Sequence, residues 1–282
     1  MTVGIVCDST ADLLPAYHEE HDVLMVPLKV RFGEEVFEDW LELHPEEFYE
    51  RLAASPEPSK TSQPSPAEFE AAYRRLAERG CDSIVSIHLS TALSGTHESA
   101  VLAAASSRVP VHLIDTKLVS QGTALVVRAA VRARDAGATG EEVADAARRV
   151  TSETRLFFVL DTLEYLVKGG RAGKAAGLAA ALLNIKPVLR LDEAGEVAPF
   201  KKVKGFRKAL SELAAHVAED AAGRPVRLGL LHSCAPERAE ELRQALLGAG
   251  VRVTEEEPVL VGAVIGTYAG PNAAGCAYYP EA

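Results

Sequence analysis

The sequence predicts an α/β fold in two domains. Residues 1–150 carry a parallel sheet with helices on both faces, and residues 151–282 a mixed or antiparallel sheet with helices. Three observations predict it. Through the first half, short apolar runs alternate with helix-period segments, and the runs are almost continuously apolar, as strands covered on both faces are. After about residue 153 the pattern changes to paired strands around a polar turn, which is antiparallel chemistry. The chain has 282 residues, enough for two ordinary domains with substantial cores.

VGIVC (3–7) reads as a buried strand, and Ser9 in the following DSTADLL is placed to cap a short helix bearing Asp12 at its third position. VLMVPLKVRF (23–32), GEE and VFED read as extended chain with a hairpin turn. PEEFYERLAAS (45–55) is an amphipathic helix entered through proline. SPEPSKTSQPS (55–65) is a polar, proline-rich connector running into a helix with a capping box, Ser65 and Glu68. DSIVSIHL (82–89) and VHLID (111–115) are strands followed by the helices THESAVLAAASS and SQGTALVVRAAVRARDAG. Thr139 and Glu142 cap one more helix in the same way.

RLFFVLD opens the second half as a strand, and TLEYLVKGG is a short helix stopped by two glycines. AAGLAAALLN reads as a small-residue helix, and KPVLRL, DEAGE and VAPFKKV as a hairpin. The helix FRKALSELAAHVAED, the strand VRLGLLHS and the helix APERAEELRQALLG follow. The tail offers two more apolar runs around VGAVIGTYAGPNAAGCAYY.

Hydrophobic residues are 48% and charged residues 25% of the chain, a globular composition. A net charge of −10 argues against a nucleic-acid partner. The N-terminus has neither a basic leader nor an apolar core of signal-peptide length, and no apolar stretch approaches the ~20 residues that span a bilayer. Cys7, Cys81, Cys234 and Cys276 are widely scattered. That spacing suits free thiols in a reducing compartment, and the expected location is cytoplasmic.

GGRAGKA (169–175) approaches a phosphate loop but is one residue short, with Ala175 where a magnesium-binding hydroxyl belongs. The histidines of HEEH (18–21) lack the spacing of a zinc-protease helix and a third ligand, so no metal site is expected. No GxSxG elbow supports a serine hydrolase. What remains is hydroxyls: Thr61 and Ser62 in KTSQPSP, and Ser90, Thr91, Ser94 and Thr96 around Gly95 at a strand-to-helix junction. Helix capping is the plain reading of each. At Ser94 a second reading stands beside it, because a helix N-terminus with a glycine turn and several hydroxyls suits a small anion such as a carboxylate. Asp8, Ser9 and Asp115, at C-terminal strand ends, read as support.

Six segments in order carry a family resemblance: VGIVCDSTADLLP, KTSQPSPAEF, STALSGTHESA, D-T-x-x-x-S-x-G from Asp115, LEYLVKGGRAGKAAGLAAALLNIKPVL and IGTYAGPNAAGCAYY. With them the chain resembles the DegV family, the fatty-acid-binding subunit of bacterial fatty acid kinase. The resemblance implies a two-domain α/β protein enclosing one long-chain fatty acid in a tunnel between its domains. It implies that the hydroxyls of Thr61 and Ser94 hold the carboxylate, with Ser62 and Gly95 close by and Arg171 in the surrounding polar network. A partner kinase then phosphorylates the carboxyl group for phospholipid synthesis, and this subunit is itself non-catalytic, without cofactor or metal. Transient membrane contact would serve lipid exchange.

The chain departs from the family pattern at its last motif, where Tyr268 replaces a histidine and Asn272 a glycine. By resemblance Tyr268 points at the carboxylate; it keeps a hydrogen-bond donor there but cannot carry a positive charge. AAGLAAALLNI (175–185) and VLVGAVIG (259–266) are candidate tunnel walls, with ordinary core packing the plainer reading. Two other functions stay open: an enzyme acting on a phosphorylated or acylated substrate at the Ser94 loop, and a lipid-responsive regulatory module.

Overall fold

The computed structural model describes residues 2–181, 185–255 and 258–281. In chain order the first half runs β1 (Val3–Asp8), α1 (Pro15–Glu20), β2 (Val23–Val26), β3 (Lys29–Phe32), β4 (Glu35–Glu38) and α2 (Pro45–Ala54). It continues with β5 (Lys60–Ser62), α3 (Pro66–Glu78), β6 (Ser83–His88), α4 (Thr96–Ala104), β7 (Val111–Asp115), α5 (Gln121–Asp135) and α6 (Gly140–Glu153). A parallel sheet has the order β2-β1-β6-β7. Successive side chains of a strand point to opposite faces, and both faces are covered. Val6, Val26 and Ile84 meet Phe69, Tyr73 and Ala100 of α3 and α4. Ile5, Cys7, Val85 and Ile87 meet the apolar stripes of α5 and α6.

The second half runs β8 (Arg155–Val159), α7 (Glu164–Lys168), a 3-10 helix (Gly173–Ala181), β9 (Ile185–Leu191), β10 (Val197–Lys204) and α8 (Phe206–Ala221). Then come β11 (Val226–Ser233), α9 (Pro236–Gly248), β12 (Val253–Glu255), β13 (Val259–Leu260), α10 (Ala263–Ala269) and β14 (Ala273–Pro280). The larger sheet has the order β10-β9-β8-β14-β11-β12, with β13 also beside β11. It is mixed: β12 and β13 run parallel to β11 and the other pairs are antiparallel. Leu210, Leu213 and Val217 of α8 and Leu242 and Leu246 of α9 cover one face. The other face, through Leu156, Leu231, Ala277 and Tyr279, packs into the same core as α5. The α5–α6 pair is therefore a layer that both sheets share, the third of five: helices, sheet, helices, sheet, helices.

Three local expectations change. Asp8, not Ser9, caps the turn at Ser9–Ala11: its Oδ1 accepts from the Thr10 N–H at 3.0 Å, while Asp12 ends the turn at φ 50°. Ser9 is drawn off because its hydroxyl accepts from the Leu28 N–H. The connector at 55–65 contains β5, which pairs antiparallel with β3 in a small sheet of order β4-β3-β5. The segment expected as a small-residue helix is 3-10 over Gly173–Ala181, and its remainder lies outside the described residues. Of the two apolar runs in the tail, the first is the short helix α10 and the second is β14.

Candidate ligand-binding site

A cavity of about 270 Å³ opens where the larger sheet's inner face, α10, β5 and the β6–α4 loop converge. Its walls are apolar, with Leu28, Leu89, Leu156, Phe158, Leu231 and Val264 among them. Val261, Val264 and Ile265, from one candidate wall segment, line it. From the other segment, Ala175 and Leu178 pack in an adjoining cluster with Leu160, Leu166 and Leu189, and residues 182–184 lie outside the described residues.

One end of the cavity is polar. Thr61 reaches it from β5, because the β3–β5 ladder sets Thr61 opposite Val30. Tyr268 reaches it from α10, and its hydroxyl lies 2.5 Å from Thr61 Oγ1 across 207 positions of sequence. The Arg171 guanidinium carbon stands 5.0 Å from the Tyr268 ring centre, over its negative face. Arg171 is aimed by donating to the Gly169 carbonyl at 2.8 Å and the Leu93 carbonyl at 3.3 Å. It has no carboxylate partner among the described residues. Gly169 allows this stack, since a Cβ there would sit 2.4 Å from the Tyr268 ring.

Ser94 stands one residue before Gly95, the N-cap of α4, and faces the cavity. Its hydroxyl accepts from the Thr96 N–H at 3.3 Å, is bonded to Thr96 Oγ1 at 2.9 Å, and lines the polar end. The other hydroxyls of its cluster are structural. Ser90 donates to the Gly195 carbonyl at 2.9 Å, and Thr91 to Asp115 Oδ2 at 2.8 Å. Asp8 likewise holds the loop from below, accepting from the Leu89 N–H at 3.0 Å.

Of the six predicted site residues, Thr61, Ser62, Ser94, Arg171 and Tyr268 line the cavity, and Gly95 does not. Gly95 lies beneath Gln63, whose Oε1 would be 2.3 Å from a Cβ at that position. Gln63 does line the cavity, and its amide donates to Ser99 Oγ at 3.2 Å. Sequence reasoning missed it, although it sits inside the KTSQPSP motif. Thr61, Ser94, Arg171 and Tyr268 are half-buried while Ser62 and Gln63 are exposed, so the polar end is the open one. Thr61, Arg171 and Tyr268 also border a groove of about 430 Å³ with Lys60, Lys168, Glu57 and Glu164 around it.

Two buried acids lie behind α10. Asp12 accepts from the Gly262 N–H at 2.9 Å, the Ser120 hydroxyl at 2.6 Å and Trp40 Nε1 at 3.2 Å. Asp39 Oδ1 accepts from the Ala263 N–H at 2.9 Å, while its Oδ2 has no hydrogen-bond partner. Burial is the largest influence on both and pushes each carboxyl up to about 7, against the lowering effect of these hydrogen bonds.

The other motifs settle elsewhere. In GGRAGKA, Lys174 pairs with Asp192 at 2.5 Å and Glu196 at 3.1 Å. His18 Nδ1 is 3.1 Å from the Val23 carbonyl, and no group of three potential metal ligands occurs among the described residues. An Asp8–His88–Ser86 chain exists, at 3.2 and 2.7 Å, but all three residues are wholly buried and Ser86 is bonded onward to the Tyr73 hydroxyl. It braces β1 against β6 inside the core.

An α/β protein with a shared helical layer, an apolar cavity and one polar, open end is built to take an amphipathic small molecule. The chain belongs to the DegV family: a family model described as "Uncharacterised protein, DegV family" matches residues 2–281. A DegV domain-containing protein of Streptomyces coelicolor is 39% identical over 97% of this chain and 96% of its own. The solved structure described as "Fatty Acid Binding of a DegV family Protein from Thermus thermophilus" is 34% identical, with a TM-score of 0.94 over 100% of both chains. A second, "DegV, a fatty acid binding protein from Bacillus subtilis", is 30% identical, with a TM-score of 0.89 over 100% of both chains.

Proposed function

We propose that this protein binds one long-chain fatty acid in the cavity, with its carboxylate at the polar end, and presents that carboxylate to a partner kinase for acyl-phosphate formation. The observation that carries the reading is the convergence of Thr61, Ser94, Arg171 and Tyr268 on the polar end of a mostly apolar cavity. A carboxylate leaving water needs its oxygens hydrogen-bonded. Three hydroxyls and a guanidinium without a carboxylate of its own answer that need, and Ser62 and Gln63 add exposed donors. The fatty-acid binding named for the Thermus and Bacillus relatives supports the same ligand class.

The acyl chain supplies the affinity. At ~0.8 kcal/mol per methylene, about sixteen carbons gain on the order of 12 kcal/mol gross. Association and ordering remove several of those, which leaves tight but reversible binding. The adjoining groove gives a phosphate donor a route to the carboxylate, and this subunit attacks nothing itself. Ser94 is bonded to Thr96, and among the described residues no histidine or carboxylate is hydrogen-bonded to it.

The exposed Lys202 and Lys204 of β10 are the candidate docking patch for the kinase, with a solvated strand edge the plainer reading. Their neighbours are already engaged, Lys201 with Glu212 at 2.6 Å and Arg207 with Glu241 at 3.0 Å. We place the domain boundary near residue 150, in the last turn of α6 before β8 begins. The test of the ligand is direct: denature the purified protein and analyse the extract by mass spectrometry. Absence of a long-chain acid, together with no binding after delipidation and refeeding, overturns the reading.

A further inference from the structure

The ladder between β8 and β9, inside the larger sheet, is three pairs long and stops at Phe157–Arg190. Beyond that pair each strand keeps only its outer partner, Leu156 opposite Ala277 on β14 and Leu191 opposite Val197 on β10. Where the two strands part, a groove of about 790 Å³ enters the sheet. Leu156 and Leu191 line it, and the same two leucines line the apolar cavity. Groove and cavity thus share these two side chains.

The groove is basic although the chain carries a net charge of −10. Lys117, Arg148, Arg155, Lys174 and Arg190 border it against Asp192 and Glu193. Arg148 and Lys174 have carboxylate partners, Asp145 at 2.7 Å and Asp192 at 2.5 Å. Lys117, Arg155 and Arg190 have none among the described residues. Arg155 is held by the Ser152 carbonyl at 2.9 Å, and Arg190 lies 5.9 Å from the Phe200 ring centre. Thr151 also borders the groove, and its hydroxyl, shielded from solvent, has no hydrogen-bond partner. Two guanidinium groups and one ammonium without carboxylate partners are the donor types that suit a tetrahedral oxyanion.

We propose that this groove is a second binding site, for a phosphate group, and that its occupancy is transmitted to the apolar cavity through Leu156 and Leu191. The first part stands on the groove alone; the second rests on the fatty-acid reading. Pushing the two leucines together or apart changes the space available to an acyl chain, so the two ligands change each other's affinity by the same factor.

Pyrophosphate is the probe. It is titrated calorimetrically into the full chain, delipidated and palmitate-loaded, at ~20 mM and ~150 mM salt, because screening weakens surface charge. Wild type is expected to bind saturably. Lys117→Gln/Arg190→Gln, at exposed positions, is expected to lose ~tenfold or more in affinity, as is Arg155→Gln, with unchanged circular dichroism. Arg74→Gln/Arg75→Gln on α3, which removes the same charge elsewhere, is expected to bind like wild type. No saturable binding by wild type, or equal losses in the Arg74/Arg75 pair, overturns the site.

Sedimentation with phosphatidylglycerol or phosphatidylcholine vesicles identifies the source of the phosphate. Capture by the first alone, lost in Lys117→Gln/Arg190→Gln, assigns a lipid headgroup; pyrophosphate binding without capture assigns a soluble phosphate. Fatty-acid affinity that is unchanged by saturating pyrophosphate overturns the coupling. Failure to bind fatty acid under any condition overturns the proposed function and leaves the phosphate site standing.

Discussion

The Asp12 carboxylate and the Gly262 backbone N–H, 250 positions apart, are joined by a buried hydrogen bond of 2.9 Å. With Asp39 on Ala263, it fixes the start of the helix that delivers Tyr268 to the cavity. Both carboxyls ionise near 3.8 when unfolded and near 7 in the fold, so between those values the folded state holds protons that the unfolded state has lost. Their contribution to stability is fully present below about 3.8 and is lost as pH rises through about 7. The expected size is a few kcal/mol, from ~1.4 kcal/mol per pKa unit. Urea midpoints of wild type and Asp39→Asn, from pH ~4 to ~8, isolate the Asp39 share and cancel the exposed acids. Asp39→Asn should match wild type at the acid end and exceed it at the alkaline end. Parallel curves would rule out titration at Asp39.

The Thr61–Tyr268 hydroxyl pair predicts coupled losses of ligand affinity. Thr61→Ala and Tyr268→Phe should each weaken fatty-acid binding by about 1–3 kcal/mol. Because the two hydroxyls bond each other, the double variant should lose less than the sum. Binding by Tyr268→Phe that equals wild type would reduce the ring to a piece of wall.

Ser65 and Ser94 separate stability from binding. The Ser65 N–H and hydroxyl both donate to Glu68 Oε2, at 2.8 and 2.7 Å, at the start of α3 and away from the cavity. Ser65→Ala should cost about 1 kcal/mol of stability and leave ligand affinity intact. Ser94→Ala should weaken the ligand by about 1–3 kcal/mol. Thermal unfolding and fatty-acid titration of both variants decide it, and equal affinity losses would contradict the assignment.

Acyl-chain preference should follow the wall. Leu231→Phe and Leu156→Phe fill the cavity from the larger sheet, opposite α10. Each methylene excluded removes about 0.8 kcal/mol. The preferred acid should then shorten by roughly two carbons, measured by competition among saturated acids of graded length. An unchanged ranking would place the chain elsewhere.

How much of this was legible in the sequence depends on how local each signal is. The parallel sheet is written in continuous apolar runs such as VGIVC and DSIVSIHL, and the helix starts in Ser65/Glu68 and Thr139/Glu142, where four residues suffice. β5 is not legible, because Lys60, Thr61 and Ser62 are polar and become a strand only through pairing with β3. Ser9 was misjudged because a partner 19 residues away competes for its hydroxyl. The polar end of the cavity lies beyond local reading altogether, since Thr61, Ser94, Arg171 and Tyr268 come from four separate elements. The family motifs marked the chemistry of each, and the fold supplies their meeting.

Kinase docking is tested by charge reversal. Lys202→Glu/Lys204→Glu should slow phosphorylation of the bound acid several-fold while its affinity stays constant, with the largest effect at low salt. Equal rates at every salt concentration would leave the two lysines as a solvated edge.

The place of β14 between β8 and β11 has a consequence for biosynthesis. A ribosome releases this chain in order, and β8 and β11 emerge long before residues 273–280. In that interval the two strands lack their common neighbour, and Leu156, Phe157, Leu228 and Leu230 have no finished sheet to be buried in. The parallel sheet, with all four strands made by residue 115, has no such delay. The growing polypeptide therefore carries an unclosed, sticky half behind a ready one, the form of intermediate that chaperones retain. The cavity is complete only after that last gap is filled, so ligand capture follows the synthesis of β14.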